Sequence, residues 1–194
     1  MRVGVLGGTF DPPHFGHLVM ASDACERLDL ERVLWVPSAE HPFKRDSVRT
    51  PAEIRLAMVR AATQDDPRFQ VSDIELRRSG PSYTVDTLRQ LSETHPGAEL
   101  VLLVGADVVR EMPAWREPHE VARLATIAAV TRAGEGLPEG LELPVTPVEV
   151  TRVDVSATEI RRRVAAGLTI RYLVPEPVRA IISGAGLYRD PPRL

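Results

Sequence analysis

Short apolar runs alternate with longer amphipathic stretches along this chain, and the alternation predicts most of its elements. Val3-Gly4-Val5-Leu6 reads as a buried strand. Phe15–Leu28 carries apolar residues at helical spacing. Arg32–Pro37 reads as a second strand, closed by its proline. Ser38–Arg49 is polar, with Pro42, Lys44 and Arg45, and is expected to be a loop that could close on a ligand. Thr50-Pro51-Ala52-Glu53 looks like a helix start, with Thr50 as cap and Glu53 completing a capping box, and that helix is expected to run to about Thr63.

Phe69–Ser72 is the expected third strand, Ser79–Ser82 a turn and Thr84–Glu93 a helix. Leu100-Val101-Leu102-Leu103-Val104 is an unbroken apolar run, as in a central parallel strand covered on both faces. Ala125–Val130 and Val145–Val153 are further strands, Gly134–Gly140 a flexible excursion, Ser156–Ala166 a helix, and Pro177–Ser183 opens the last helix. Strands and helices in alternation predict an α/β fold with a mainly parallel, open sheet. The length of 194 residues suits a single domain.

Composition removes several function classes. A net charge of -3 gives no bulk attraction to nucleic acid or anionic lipid. The single Cys25 excludes an intramolecular disulfide and a cysteine metal cluster, and its helical setting predicts an inert core thiol. No apolar run approaches membrane-spanning length and the N-terminus lacks a long apolar segment, so no membrane association and a cytoplasmic location are expected.

The chemistry concentrates in three places. In an open parallel sheet, ligands bind beyond the carboxyl ends of the strands. Three segments are expected there: Gly7-Gly8-Thr9-Phe10-Asp11-Pro12-Pro13-His14-Phe15-Gly16-His17 after the first strand, Gly105-Ala106-Asp107 after the central one, and Asp154-Val155-Ser156-Ala157-Thr158 before the late helix. His14 and His17 lie on one turn at a helix start, where unpaired N–H groups favour phosphate. Gly16 leaves room for a flat base to pack against backbone. The glycines fit neither a Walker loop nor a dinucleotide fingerprint. A zinc site lacks a third ligand, so no protein-held metal is expected. His41, His95 and His119 read as solvated or structural.

The first of these segments resembles the first motif of the nucleotidylyltransferase superfamily, with its His-x-Gly-His core. Ser156-Ala157-Thr158-Glu159-Ile160-Arg161 resembles the second, and the two lie roughly 140 residues apart in the order such a domain requires. Pro81–Leu88 is similar to the segment by which bacterial nicotinate-nucleotide adenylyltransferases hold the nicotinate ring. Gly105-Ala106-Asp107 with Trp115 is similar to their Gly-x-Asp and ring-stacking tryptophan. Val36-Pro37…Pro42-Phe43-Lys44 also fits, although Phe43 stands where a second proline or a histidine is common. The resemblance runs from Met1 to about Tyr188. The fold expected of the chain is then Rossmann-like: a doubly wound, mainly parallel sheet with helices on both faces.

That resemblance implies transfer of AMP from ATP to nicotinate mononucleotide, giving the deamido dinucleotide of NAD biosynthesis and pyrophosphate. Its implied catalytic residues are His14, His17 and Arg161, with the histidines as charge stabilisers. Gly8, Thr9, Phe10, Gly16, Ser156 and Thr158 would bind ATP. Lys44, Tyr83, Thr84, Asp107 and Trp115 would bind the mononucleotide. Lys44 reads equally as a solvated lysine, and Asp107 as a helix cap. Arg162 and Arg163 read as solvated helix arginines. Mg2+ is implied by the triphosphate and would be held mainly by its phosphates and water. Within the superfamily, phosphopantetheine adenylyltransferase shares both phosphate motifs but lacks the Tyr83-Thr84 and Trp115 features. Nicotinamide mononucleotide stays open as acceptor, as does homo-oligomerisation. A non-catalytic nucleotide sensor would be expected to have lost a histidine or the second motif.

Overall fold

The computed structural model describes residues 1–39, 50–132, 136–137 and 140–189. Lys44 and most of the 38–49 and 134–140 segments lie outside the described residues. Six parallel strands form one sheet: β1 (Arg2–Gly8), β2 (Arg32–Pro37), β3 (Phe69–Val71), β4 (Glu99–Gly105), β5 (Thr126–Arg132) and β6 (Val145–Val150), in the order β3-β2-β1-β4-β5-β6. The chain reverses its direction of winding between β1 and β4, which places a crevice beyond their carboxyl ends. The histidine loop leaves β1 at that crevice and Gly105 ends β4 beside it. The fold is the expected Rossmann-like α/β arrangement.

Alternation within the central strand divides the core in two. Leu100, Leu102 and Val104 of β4 pack on one face with Val3 and Val5 of β1, whereas Val101 and Leu103 pack on the other with Leu6 and Trp35. An unbroken apolar run in β4 therefore serves both faces. The first face is covered by α3 (Thr84–Thr94) and α5 (Pro118–Leu124), the second by α1 (Phe15–Arg27) and α2 (Ala52–Thr63). A smaller cluster, built on Met58, Ile160, Val178 and Ile182, joins α2 to α6 (Ala157–Ala165) and α7 (Glu176–Gly184). Cys25 is a buried core thiol, its pKa raised chiefly by burial. No helix among the described residues is long and apolar enough to cross a membrane.

Two sequence expectations are corrected, and a stretch that the sequence left unassigned is filled. Thr50 does not cap α2: Pro51 occupies the cap position with no side-chain cap, because its fixed φ of -51° already suits entry to the helix. β6 ends at Val150 rather than Val153, since the Thr151 N–H turns away to Asp23 Oδ2 at 2.6 Å. A four-residue helix α4 (Ala106–Val109), a 3-10 turn (Met112–Ala114) and α5 fill the stretch between Gly105 and Ala125, where periodicity signalled no helix. Each is too short to show two turns of repeat. β6 is an edge strand, which is why Pro147 sits in it without breaking a central ladder.

Candidate active site

His14 is the N-cap of α1, with extended backbone, and its N–H donates to Nδ1 of His17 at 3.3 Å. The two imidazoles lie with ring centroids 3.8 Å apart and planes tilted by 30°. Phe10 supports them from below: its ring meets His17 edge-on at 5.2 Å and tilts on Trp35 at 5.3 Å, and Trp35 continues to Phe69 at 5.5 Å. An aromatic column thus runs from the core to the histidine pair. Phe10 adopts φ 49°, a left-handed conformation rare for a bulky residue, which turns its ring inward while its backbone stays in the loop. Its part in any phosphate contact is confined to that backbone.

Gly16 has a reason closer than a bound base. A Cβ there would stand 3.0 Å from Nδ1 and 3.1 Å from Cε1 of His14. The glycine makes room for the His14 ring itself.

Burial lowers the His14 pKa to about 4. Burial also lowers that of His17 well below its ordinary value, helped by the charge of His14. Both rings are therefore neutral at pH 7, so they can act as hydrogen-bonding groups. Since Nδ1 of His17 accepts a hydrogen bond, its proton sits on Nε2, a donor. Nδ1 of His14 and Oγ1 of Thr9 are buried polar atoms without a protein partner, an arrangement that invites a polar ligand.

The second motif is fastened onto the first. Arg161 Nη1 donates to the Asp11 carbonyl at 2.8 Å, and Nη2 to Thr158 Oγ1 at 3.3 Å. The Val155 carbonyl lies 3.6 Å from where a Gly16 Cβ would stand. Ser156 caps α6, its Oγ accepting from the Glu159 N–H at 3.2 Å, which leaves the hydroxyl proton for a ligand. Ser156 and Thr158 are both exposed. Arg161 brings a fixed positive charge to this site. Arg162 pairs with Glu159 at 2.7 Å and Arg163 donates to the Thr169 carbonyl, so neither reaches the site. The Phe15 N–H at the start of α1 donates to the Leu173 carbonyl at 3.2 Å, so that donor of the helix start is already engaged.

A second group forms around the start of α3. Tyr83 is its N-cap and Thr84 its first residue. The Arg116 guanidinium lies 5.0 Å from the centre of the Tyr83 ring, and Tyr83 and Trp115 both pack against the same core cluster. Trp115 is half-buried against the core, whereas Trp35 is wholly inside it. Glu75, raised in pKa chiefly by burial, accepts from Thr87 Oγ1 at 2.6 Å and steadies the first turn of α3. Asp107 is exposed in the short α4, its Oδ1 2.5 Å from where a Gly105 Cβ would stand, so a side chain at 105 would displace it.

Sequence reasoning missed three residues. Asp11 is 2% exposed and accepts from the Tyr188 hydroxyl at 2.5 Å, while its carbonyl takes Arg161. Arg55 is 1% exposed and donates to the carbonyls of Thr9 at 2.7 Å, Ser38 at 2.7 Å, Thr50 at 3.1 Å and Ala39 at 3.2 Å. Arg55 had a signal: it falls on the same helical stripe as the buried Met58, Val59 and Thr63. Among the described residues no group of three histidine, cysteine or carboxylate side chains could hold a metal ion.

The cytidylyltransferase-like family profile matches residues 5–163. A Thermus thermophilus protein named "Probable nicotinate-nucleotide adenylyltransferase" is 48% identical over 189 residues, covering 97% of this chain and 100% of that one. A protein of the same name from Geobacillus thermodenitrificans is 44% identical over 187 residues, covering 96% and 86%. Among solved structures, the Plasmodium falciparum nicotinic acid mononucleotide adenylyltransferase complexed with NaAD superposes with a TM-score of 0.80 at 17% identity, covering 96% of this chain and 97% of that one. At that identity the likeness is one of fold.

Proposed function

This chain belongs to the cytidylyltransferase-like family and, within it, to the nicotinate-nucleotide adenylyltransferases, and from that premise we infer that its own residues carry adenylyl transfer as follows. The reaction joins ATP and nicotinate mononucleotide into nicotinate adenine dinucleotide and pyrophosphate, a step of NAD biosynthesis. A phosphate oxygen of the mononucleotide attacks the α-phosphorus of ATP. The new O–P bond forms as the bond to the pyrophosphate oxygen breaks. The attacking oxygen is already anionic at pH 7, so no proton has to be removed. Catalysis rests on positioning and on stabilising charge that moves toward the leaving group.

One observation carries this reading: Arg161 of the second motif donates to the Asp11 carbonyl of the first at 2.8 Å, so both phosphate motifs form one surface. His17 donates its Nε2 proton to phosphate, and His14 lies stacked beside it. Thr9 Oγ1 and the backbone around Gly8 and Phe10 add neutral donors. Ser156, through its hydroxyl proton, and Thr158 meet the outer phosphates. Arg161, already anchored, supplies the cation, and its planar fork suits phosphate oxygens. Mg2+, implied by the triphosphate, would arrive with ATP and be held mainly by its phosphates and water, where it would offset phosphate charge.

The acceptor lies on the other side of the crevice. Tyr83 and Thr84, at the start of α3, face the nicotinate carboxylate with backbone donors. Trp115 offers its exposed face to the ring. Asp107 is placed to accept from a ribose hydroxyl. A biosynthetic step that draws on ATP and a mononucleotide supports a cytoplasmic location.

The reading is tested by incubating the purified chain with ATP, Mg2+ and nicotinate mononucleotide and resolving products chromatographically. Dinucleotide and pyrophosphate in equal amounts are expected. His17→Ala should lower turnover by about 100-fold or more, on the scale of losing one transition-state donor. Near-normal turnover in that variant would remove His17 from the mechanism.

A further inference from the structure

We propose that Arg55 is a positioning residue that holds the ATP half and the acceptor half of the site in register; the proposal rests on the adenylyl-transfer reading above. A guanidinium taken out of water needs a partner for its N–H groups. Arg55 finds four, all main-chain carbonyls: Thr50 for Nε, Thr9 for Nη1, and Ser38 and Ala39 for Nη2. These belong to three separate segments. Thr9 is in the phosphate loop, Ser38 and Ala39 follow β2, and Thr50 leads into α2. Because the fork is planar and rigid, the three backbones must keep set separations to satisfy it together.

The connection continues to the acceptor side. The Ala39 N–H donates to Ser82 Oγ at 3.2 Å. Ser82 precedes Tyr83, the N-cap of α3. One side chain thus links Thr9, beside the ATP phosphates, to Tyr83, beside the nicotinate ring. Its acceptors are neutral; burial lowers its pKa, and the carboxylates of Asp11, in the same phosphate loop, and of Glu53 oppose that by favouring its charge. The nucleophile sits on one substrate and the electrophile on the other, so the separation of these two halves sets the attack geometry. Lysine cannot take this part: its ammonium is a compact point charge that cannot span carbonyls from three segments.

The experiment uses the full chain with Arg55→Lys and Arg55→Met, assayed with ATP and nicotinate mononucleotide, each varied separately. Thermal melts establish that each variant is folded at the assay temperature. Wild type forming dinucleotide is the control; its failure would overturn the adenylyl-transfer reading and the proposal with it. A positioning role predicts kcat lower by about 100-fold, the loss expected from a misplacement of about 1 Å, with both KM values within about threefold of wild type. A folded variant with unchanged kcat would reduce Arg55 to packing and overturn the proposal. So would a rise in one KM alone, which would tie it to one half-site. Should neither variant fold, Ser82→Ala breaks the link at its far end. A kcat loss of about tenfold with both KM values kept supports the proposal, and an unchanged kcat overturns it.

Discussion

The Tyr188 hydroxyl donates a 2.5 Å hydrogen bond to Oδ1 of Asp11, joining the turn that follows α7 to the histidine loop. The phenol is buried, and burial together with Asp11 pushes its pKa up, so it remains a donor at any working pH. Arg161 meets the carbonyl of the same Asp11. The loop is therefore held at one residue from two distant parts of the chain. Tyr188→Phe deletes one donor to a buried carboxylate and keeps the ring. It should lower stability by about 1–3 kcal/mol, read as a shift of the urea midpoint at unchanged slope. Loss of turnover beyond the fraction unfolded would show that the Asp11 position reaches the phosphates.

Gly16→Ala tests the packing of the histidine pair. A methyl 3.0 Å from His14 Nδ1 forces the ring to move. The helical backbone accepts alanine, so stability should change by less than about 1 kcal/mol. Turnover should fall about tenfold to 100-fold, because a ring stacked at 3.8 Å on His17 cannot shift alone. Full activity in this variant would mean that His14 tolerates displacement.

The strands were legible because a parallel sheet covered on both faces writes itself as apolar runs, and β4 is the plainest case. The phosphate motifs were legible because each is contiguous. What escaped was long-range or short-lived. Asp11 and Tyr188 are 177 positions apart, and no local pattern couples them. The helices between Gly105 and Ala125 are too brief for periodicity, though Pro118 at the first turn of α5 marked a start. Arg55 was visible as a charge on an apolar stripe, and only the fold shows that its partners are carbonyls. The histidines lie together at the start of α1, where the sequence put them, but their charge state depends on burial, which the sequence does not state.

That burial has a pH signature. His14 is held at about 4 against an ordinary 6.5, so between those values the unfolded chain binds more protons than the folded one. The stability linked to His14 is complete above pH 6.5 and is lost as pH falls toward 4. The lowered pKa of His17 acts in the same direction. Glu75, raised by burial, acts in the opposite sense and loses its contribution as pH rises. The difference between wild type and His14→Gln isolates the first effect. Urea midpoints at pH 7 and pH 5 should fall more steeply for wild type than for the variant, and parallel falls would contradict a neutral, buried His14.

Trp115 carries the prediction about the acceptor. Its ring is half-buried against the same core cluster as Tyr83. If its free face stacks on the pyridine ring, Trp115→Ala removes a contact of about 0.5–1.5 kcal/mol, which corresponds to a KM for the mononucleotide raised about twofold to tenfold. The KM for ATP should stay put, since the residues proposed to meet its phosphates lie beyond β1 and before α6. Running the assay with nicotinate and nicotinamide mononucleotides side by side separates stacking from selection. Stacking serves both rings alike, so the ratio of their kcat/KM values should survive the substitution. If the backbone donors at Tyr83 and Thr84 meet the acid or amide group, as proposed, they should keep that ratio in favour of the carboxylate. A collapsed ratio would assign the choice of acceptor to Trp115, and equal rises in the KM of ATP and mononucleotide would remove it from the ring pocket.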